Sequence, residues 1–105
     1  MRRPRRGEVW WMEVRDAGRR PALVLTRDAA IPVLNRVIVA PATRTIRNIP
    51  TEVFLNGDDG MTVDCVLSLD NLTVVPISSL ASRVTTLTPG RMTDVCAALR
   101  AAVGC

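Results

Sequence analysis

The sequence predicts a mainly β fold with one α-helix: a small, strongly bent antiparallel sheet or barrel, plugged by a helix at the C-terminus. Two observations carry this. Short apolar runs with β-branched residues recur every 8–12 residues, separated by Gly, Pro, Asn and Asp. The hydrophobic period then changes from 2 to 3.6 after Thr88 and stays so to the end.

Residues 8–15 read as the first strand, with Trp10, Met12 and Val14 on one face and Val9, Trp11, Glu13 and Arg15 on the other. Asp16-Ala17-Gly18 supplies turn chemistry, and Arg19-Arg20-Pro21 leads into a second strand over 22–26. Residues 28–35, with Asp28, Pro32 and Asn35, read as a loop. A third strand covers 36–40 and is stopped by Pro41; residues 43–48 form a polar, basic connection. Further strands are expected at 51–55, 65–69 and 72–75, with a turn at 56–60 and an irregular stretch or helical turn at 76–82. A last short strand falls at 84–87. Thr88 suits an N-cap, Pro89 the first helical position and Gly104 a C-cap, so the helix spans 89–103. Its apolar stripe is Met92, Val95, Cys96, Leu99 and Val103.

The 105 residues suit one domain, 1–105, whose first six residues form a basic N-terminal tail rather than a signal peptide, because no apolar run follows. No stretch approaches the length needed to span a bilayer. Cys65, Cys96 and Cys105 lack metal or redox spacing, so Cys65 and Cys96 are expected in the core, and the location is a reducing cytoplasm.

Composition narrows the chemistry. The chain has no His, Lys or Tyr, and all 14 basic residues are Arg against 10 carboxylates. Imidazole shuttles, Ser-His-Asp triads, Schiff-base lysines and Cys/His zinc sites are excluded. Asp58, Asp59 and Asp64 read as solvated turn acids rather than metal ligands. The net charge of +4 suggests an acidic partner such as RNA, DNA or an acidic peptide. With only three aromatics, a base-stacking platform is hard to build.

Arg20 precedes a proline that holds it out of the α region, so its guanidinium leaves a rigid edge. If the second and third strands pair antiparallel, Arg20 and Thr43 come to the same rim, with Arg44 and Arg47 beside them. A guanidinium next to a hydroxyl suits a phosphodiester. Solvated strand ends are the alternative reading of the same residues.

Five segments in order, Gly7-Glu8-Val9-Trp10, Arg20-Pro21-Ala22-Leu23-Val24-Leu25, Val39-Ala40-Pro41-Ala42-Thr43, Asp64-Cys65-Val66 with Asp70-Asn71, and Arg83-Val84 to Leu87, resemble the MazF/PemK toxins over residues 6–103. The resemblance implies an SH3-like (CcdB/PemK-type) barrel. It also implies a metal-independent, cofactor-free endoribonuclease toxin that cuts single-stranded mRNA and arrests growth. A dimer silenced by a MazE-like antitoxin with an acidic C-terminal segment comes with it. The family's catalytic Arg and Thr map onto Arg20 and Thr43. Arg19, Arg44, Arg47 and Asn71 are the expected RNA-binding residues, a turn residue being the alternative reading of Asn71. The short first turn and Asn71, where several relatives carry Gln, depart from the family and imply a different base preference. A CcdB-type gyrase poison, which does not require Arg20-Pro21 with Thr43, and a non-catalytic SH3-like RNA-binding module, which binds RNA in a salt-sensitive way and leaves it intact, are the alternatives.

Overall fold

The computed structural model describes residues 3–105. Seven strands form one bent antiparallel sheet: β1 (Glu8–Val14), β2 (Gly18–Val24), β3 (Arg36–Thr43), β4 (Glu52–Leu55), β5 (Cys65–Ser68), β6 (Thr73–Pro76) and β7 (Leu80–Thr86). Their order is β4-β5-β3-β2-β1-β7, with β6 also paired to β3. The described residues also form two α-helices, a four-residue α1 (Ile31–Leu34) inside the expected 28–35 loop and α2 (Pro89–Val103), and three short 3-10 turns.

Alternation along β1 sends its residues into two separate cores. Val9 joins Leu23, Leu25, Ala40, Leu55, Leu67 and Leu87 beneath α2, whereas Trp10 and Met12 pack with Ala22, Val24, Ile31, Val37, Val39 and Leu80 on the other face. Because both faces of this part of the sheet are buried, β1 and β2 carry apolar residues at successive positions. The carboxylate of Glu8 enters this interior and accepts hydrogen bonds from Trp10 Nε1 at 3.1 Å and Arg5 N at 2.8 Å, with Arg83 Nη1 at 3.4 Å. A buried carboxylate is tolerated only with such partners.

The helix is the element that local chemistry determines most completely. Thr88 Oγ1 accepts from Arg91 N at 3.2 Å, Pro89 opens the first turn, and Gly104, at φ 74°, closes the last. The buried stripe is rotated from the expected one: Val95 and Ala98 are buried, Cys96 is half-buried, and Val103 is exposed.

Other expectations are corrected by pairing. β2 begins at Gly18, not at residue 22, because the β1–β2 ladder continues from Val9–Leu23 to Val14–Gly18 and draws Arg19, Arg20 and Pro21 into the strand. Gly18 takes a positive φ of 78° to make that tight hairpin. β3 passes through Pro41 to Thr43, since Ala42 and Thr43 pair with β5. β7 begins at Leu80, four residues early, because Met12 and Trp11 pair with Leu80 and Ser82. Leu69 lies in a 3-10 turn and Leu72 precedes β6. The basic tail is not wholly solvated: Arg6 N donates to Asp28 Oδ1 at 2.7 Å, and its guanidinium meets the Leu25 carbonyl and, at 3.6 Å, Cys96 Sγ. Met1 and Arg2 of that tail lie outside the described residues.

The acidic turn is also not simply solvated. Asp59 receives Arg91 Nε at 2.9 Å and Nη2 at 3.2 Å from α2, and Asn56 N at 3.0 Å. Thr85 Oγ1 donates to the Asp59 carbonyl at 2.9 Å, and a Cβ on Gly60 would lie 2.3 Å from that hydroxyl. The turn is thereby fastened to both β7 and α2. Burial pushes the Asp59 carboxyl upward, but the Arg91 hydrogen bonds and charge and the Asn56 amide outweigh it and hold it below the usual range.

Between that lowered value and the ordinary carboxyl value near 3.9, the native state binds fewer protons than the unfolded chain. The resulting stability is present above about pH 4 and is lost as pH falls through the folded value. Asp59→Asn is therefore expected to lower stability by about 1–2 kcal/mol at pH 7 and to flatten the acid limb of the profile. Thermal melts of both proteins from pH 2 to 7 check this, and parallel profiles would contradict it.

Candidate active site

The β2–β3 ladder runs from Val24–Val39 to Ala22–Pro41 and ends there. Pro21, whose partner in the next hydrogen-bonded pair would be Ala42, has no N–H to donate, so the strands part beyond this rung. Two residues further on each strand stand Arg20 and Thr43. A cavity of about 450 Å³ opens at this end of the sheet. Its rim carries Arg19, Arg20, Thr43, Arg44, Thr45 and Thr62, and Trp11, Pro21, Ala42, Met61, Val63, Cys65 and Val84 supply apolar surface.

The charges at the rim are available. Arg19 lies 3.7 Å from Glu13, but both side chains are more than half exposed, so the pair is weak. Among the described residues no carboxylate forms an ion pair with Arg20 or Arg44. Thr43 Oγ1 accepts a hydrogen bond from Thr45 N at 3.2 Å, which turns the chain at the end of β3 and leaves the hydroxyl proton to donate outward. Exposed guanidiniums beside a donating hydroxyl, at the mouth of a cavity with apolar walls, form a site for a phosphate group with an organic substituent.

Four of the six residues singled out in the sequence thus share this cavity: Arg19, Arg20, Thr43 and Arg44. The other two do not line it. Arg47 is 3.9 Å from Glu52 Oε2, and its backbone N–H donates to Glu52 Oε1 at 2.9 Å, so it fastens the 43–51 connection to β4. Asn71 ends a 3-10 turn and donates from Nδ2 to Ser68 Oγ at 2.8 Å. Trp11, Val84 and the 61–63 segment were not singled out beforehand. Their only trace in the sequence is a tryptophan on the strand face opposite Trp10; the 61–63 wall arrives by the tertiary anchoring of Asp59. Among the described residues no group of three or more Cys, Asp or Glu side chains could hold a metal ion. No helix among them is long and apolar enough to cross a membrane.

Residues 5–103 match the family model described as PemK-like, MazF-like toxin of type II toxin-antitoxin system. A probable endoribonuclease MazF5 of Mycobacterium tuberculosis is 47% identical over 103 residues, covering 97% of this chain and 94% of the relative. A probable endoribonuclease MazF2 of the same species is 38% identical over 102 residues, covering 96% and 99%. Among solved structures, the Mycobacterium tuberculosis toxin MazF-mt6 superposes with a TM-score of 0.85 at 29% identity, covering 92% of this chain and 96% of that one. A mycobacterial endoribonuclease in complex with its cognate antitoxin gives 0.87 at 28% identity, covering 96% and 95%.

Cys65 sits in the cavity wall yet is only 3% exposed, and burial, with the nearby charges of Asp64 and Asp59, pushes its thiol upward. Alkylation with iodoacetamide at pH 7.5 is expected to modify exposed Cys105 first and Cys65 only on unfolding. Peptide mass mapping against time checks the order; labelling of Cys65 as fast as Cys105 would contradict it.

Proposed function

The chain belongs to the PemK-like, MazF-like toxins of type II toxin–antitoxin systems, and on that premise we propose that it is an endoribonuclease that cuts single-stranded RNA without a metal. The observation that carries this reading is the meeting of Arg20, Arg44 and Thr43 at one cavity mouth. The relatives' names supply the substrate class.

In the proposed reaction the substrate's own 2′-hydroxyl attacks the adjacent phosphorus and loses its proton. The bond to the 5′-oxygen breaks, and that oxygen takes up a proton. The products are a 2′,3′-cyclic phosphate and a 5′-hydroxyl, with no water consumed. A chain without His or Lys suits this route, because the nucleophile belongs to the substrate and the main demand on the protein is charge stabilisation. Arg20 donates to the non-bridging oxygens as the phosphorane gains negative charge, a role typically worth 10²–10³ in rate per donor. An arginine holds its proton too firmly to be a good general base. Thr43 donates its hydroxyl to the same phosphate and fixes it in line. Arg19 and Arg44 hold flanking phosphates. Arg47 and Asn71, placed away from the cavity, are reached only by a longer stretch of RNA.

A cognate antitoxin is the second partner, as the mycobacterial complex suggests for this chain. An acidic C-terminal segment would neutralise the same arginines and exclude RNA. The protein acts as a homodimer in the cytoplasm in this reading, a C2 pair being the commonest assembly.

The test is cleavage of a long defined RNA in EDTA by the wild type, Arg20→Ala and Thr43→Ala. The expected result is a few cuts with cyclic phosphate ends, and a loss of at least ~10²-fold in each variant with the melting temperature retained. Unchanged cutting by Arg20→Ala, or fragments ending in 3′-hydroxyl and 5′-phosphate, would overturn the reading.

A further inference from the structure

The aromatic residues of this chain occupy three distinct environments. Trp10 is 5% exposed and tied through Nε1 to Glu8 in the second core. Phe54 is exposed on β4 and lines a separate groove against α2. Trp11 alone lines the cavity that holds Arg20 and Thr43. It is half-buried, and no hydrogen bond among the described residues holds its indole N–H.

Its position is fixed by the sheet. Trp11 pairs with Pro21 on β2 and Ser82 on β7, so its backbone is held from both sides. Pro21 is its partner on β2, and Met61, Val63, Cys65 and Val84 supply the rest of the cavity's apolar surface. Pro21 is covalently next to Arg20. A phosphate held at Arg20 and Thr43 therefore has an apolar surface with one aromatic ring within the same cavity. The polar side chains of the rim are guanidiniums and threonine hydroxyls, which suit phosphate and sugar oxygens, whereas a ring face accepts any base by stacking.

We infer that Trp11 is the platform for one nucleobase next to the scissile phosphate, so that this single ring, with no multi-aromatic surface, positions the RNA for cleavage. The inference rests on the endoribonuclease reading and deepens it. Trp11 acts here by positioning: it holds the nucleoside so that its 2′-hydroxyl lies in line with the phosphate at Arg20. The free energy of stacking goes into binding, and its geometry into the rate.

The experiment uses a seven-nucleotide RNA around a cut site mapped on the long transcript, with a 2′-deoxy sugar at the cut position for binding and the all-ribose form for kinetics. Each base is replaced in turn by an abasic residue. Trp11→Phe should stay within about threefold of the wild type, and Trp11→Leu should weaken binding about tenfold or more. One abasic position should produce the same loss in the wild type and no further loss in Trp11→Leu. Binding should also quench the tryptophan emission of the wild type, and that quench should vanish in Trp11→Phe although Trp10 remains. Thermal melts confirm that each variant is folded. If the oligonucleotide binds and is cut but every abasic position weakens Trp11→Leu and wild type alike, the platform is refuted and the endoribonuclease reading stands. If the wild type neither cuts nor binds RNA, both fall together. A Trp11→Leu variant that unfolds transfers the decision to Trp11→Phe: loss of the quench and tolerance of the ring exchange support the platform, and a retained quench refutes it.

Discussion

The site depends on a ladder that stops. β2 and β3 stay paired from Val24–Val39 to Ala22–Pro41. Leu25 N donates to the Ile38 carbonyl, so by alternation Pro21 faces β3 and withdraws the donor that the next hydrogen-bonded pair, with Ala42, requires. Had the ladder continued, Arg20 and Thr43 would face each other across a closed sheet. Because it ends, Ala42 and Thr43 follow β5 while Arg20 stays with β1, and the divergence makes room for a ligand. The same strands remain rigid behind the gap, since each has neighbours and both of their faces are packed against core. A reactive centre on strand ends is held more tightly than one on loops, which is the condition for orienting a phosphate.

One wall of the cavity comes from far along the chain. Residues 61–63 follow directly on Asp59 and Gly60, which are fastened to Arg91 of α2 and Thr85 of β7. An ion pair that looks like ordinary helix anchoring thus also sets the position of Met61, Thr62 and Val63. Stability and site geometry share this contact.

The helix was legible residue by residue, because Thr88, Pro89 and Gly104 act through local backbone chemistry. Strand identities were legible from alternation, including the division of β1 into two faces. Strand ends were not, since the starts of β2 and β7 are set by pairing with β1, and the polar composition of Gly18–Arg20 and Leu80–Arg83 resembles a loop. Arg20 and Thr43 could be brought together from a single assumption, an antiparallel β2–β3 pair, and that pairing is the one found. Arg47 looked equally suitable by proximity in sequence to Thr43, but its contact with Glu52 directs it to β4. The anchoring role of Asp59 depends on contacts with Thr85 and Arg91, more than twenty positions away, and the placing of Trp11 in the cavity depends on which strands meet there; no local pattern encodes either.

The central claim is that Arg20 and Thr43 act on one phosphate as a unit. The direct measurement is a double-mutant cycle on single-turnover cleavage of one defined RNA in EDTA, using Arg20→Ala, Thr43→Ala and the double variant. Groups that serve the same phosphate lose their effect together, so the double variant should be little slower than the slower single one. Penalties that multiply in full would show two independent roles and contradict the account.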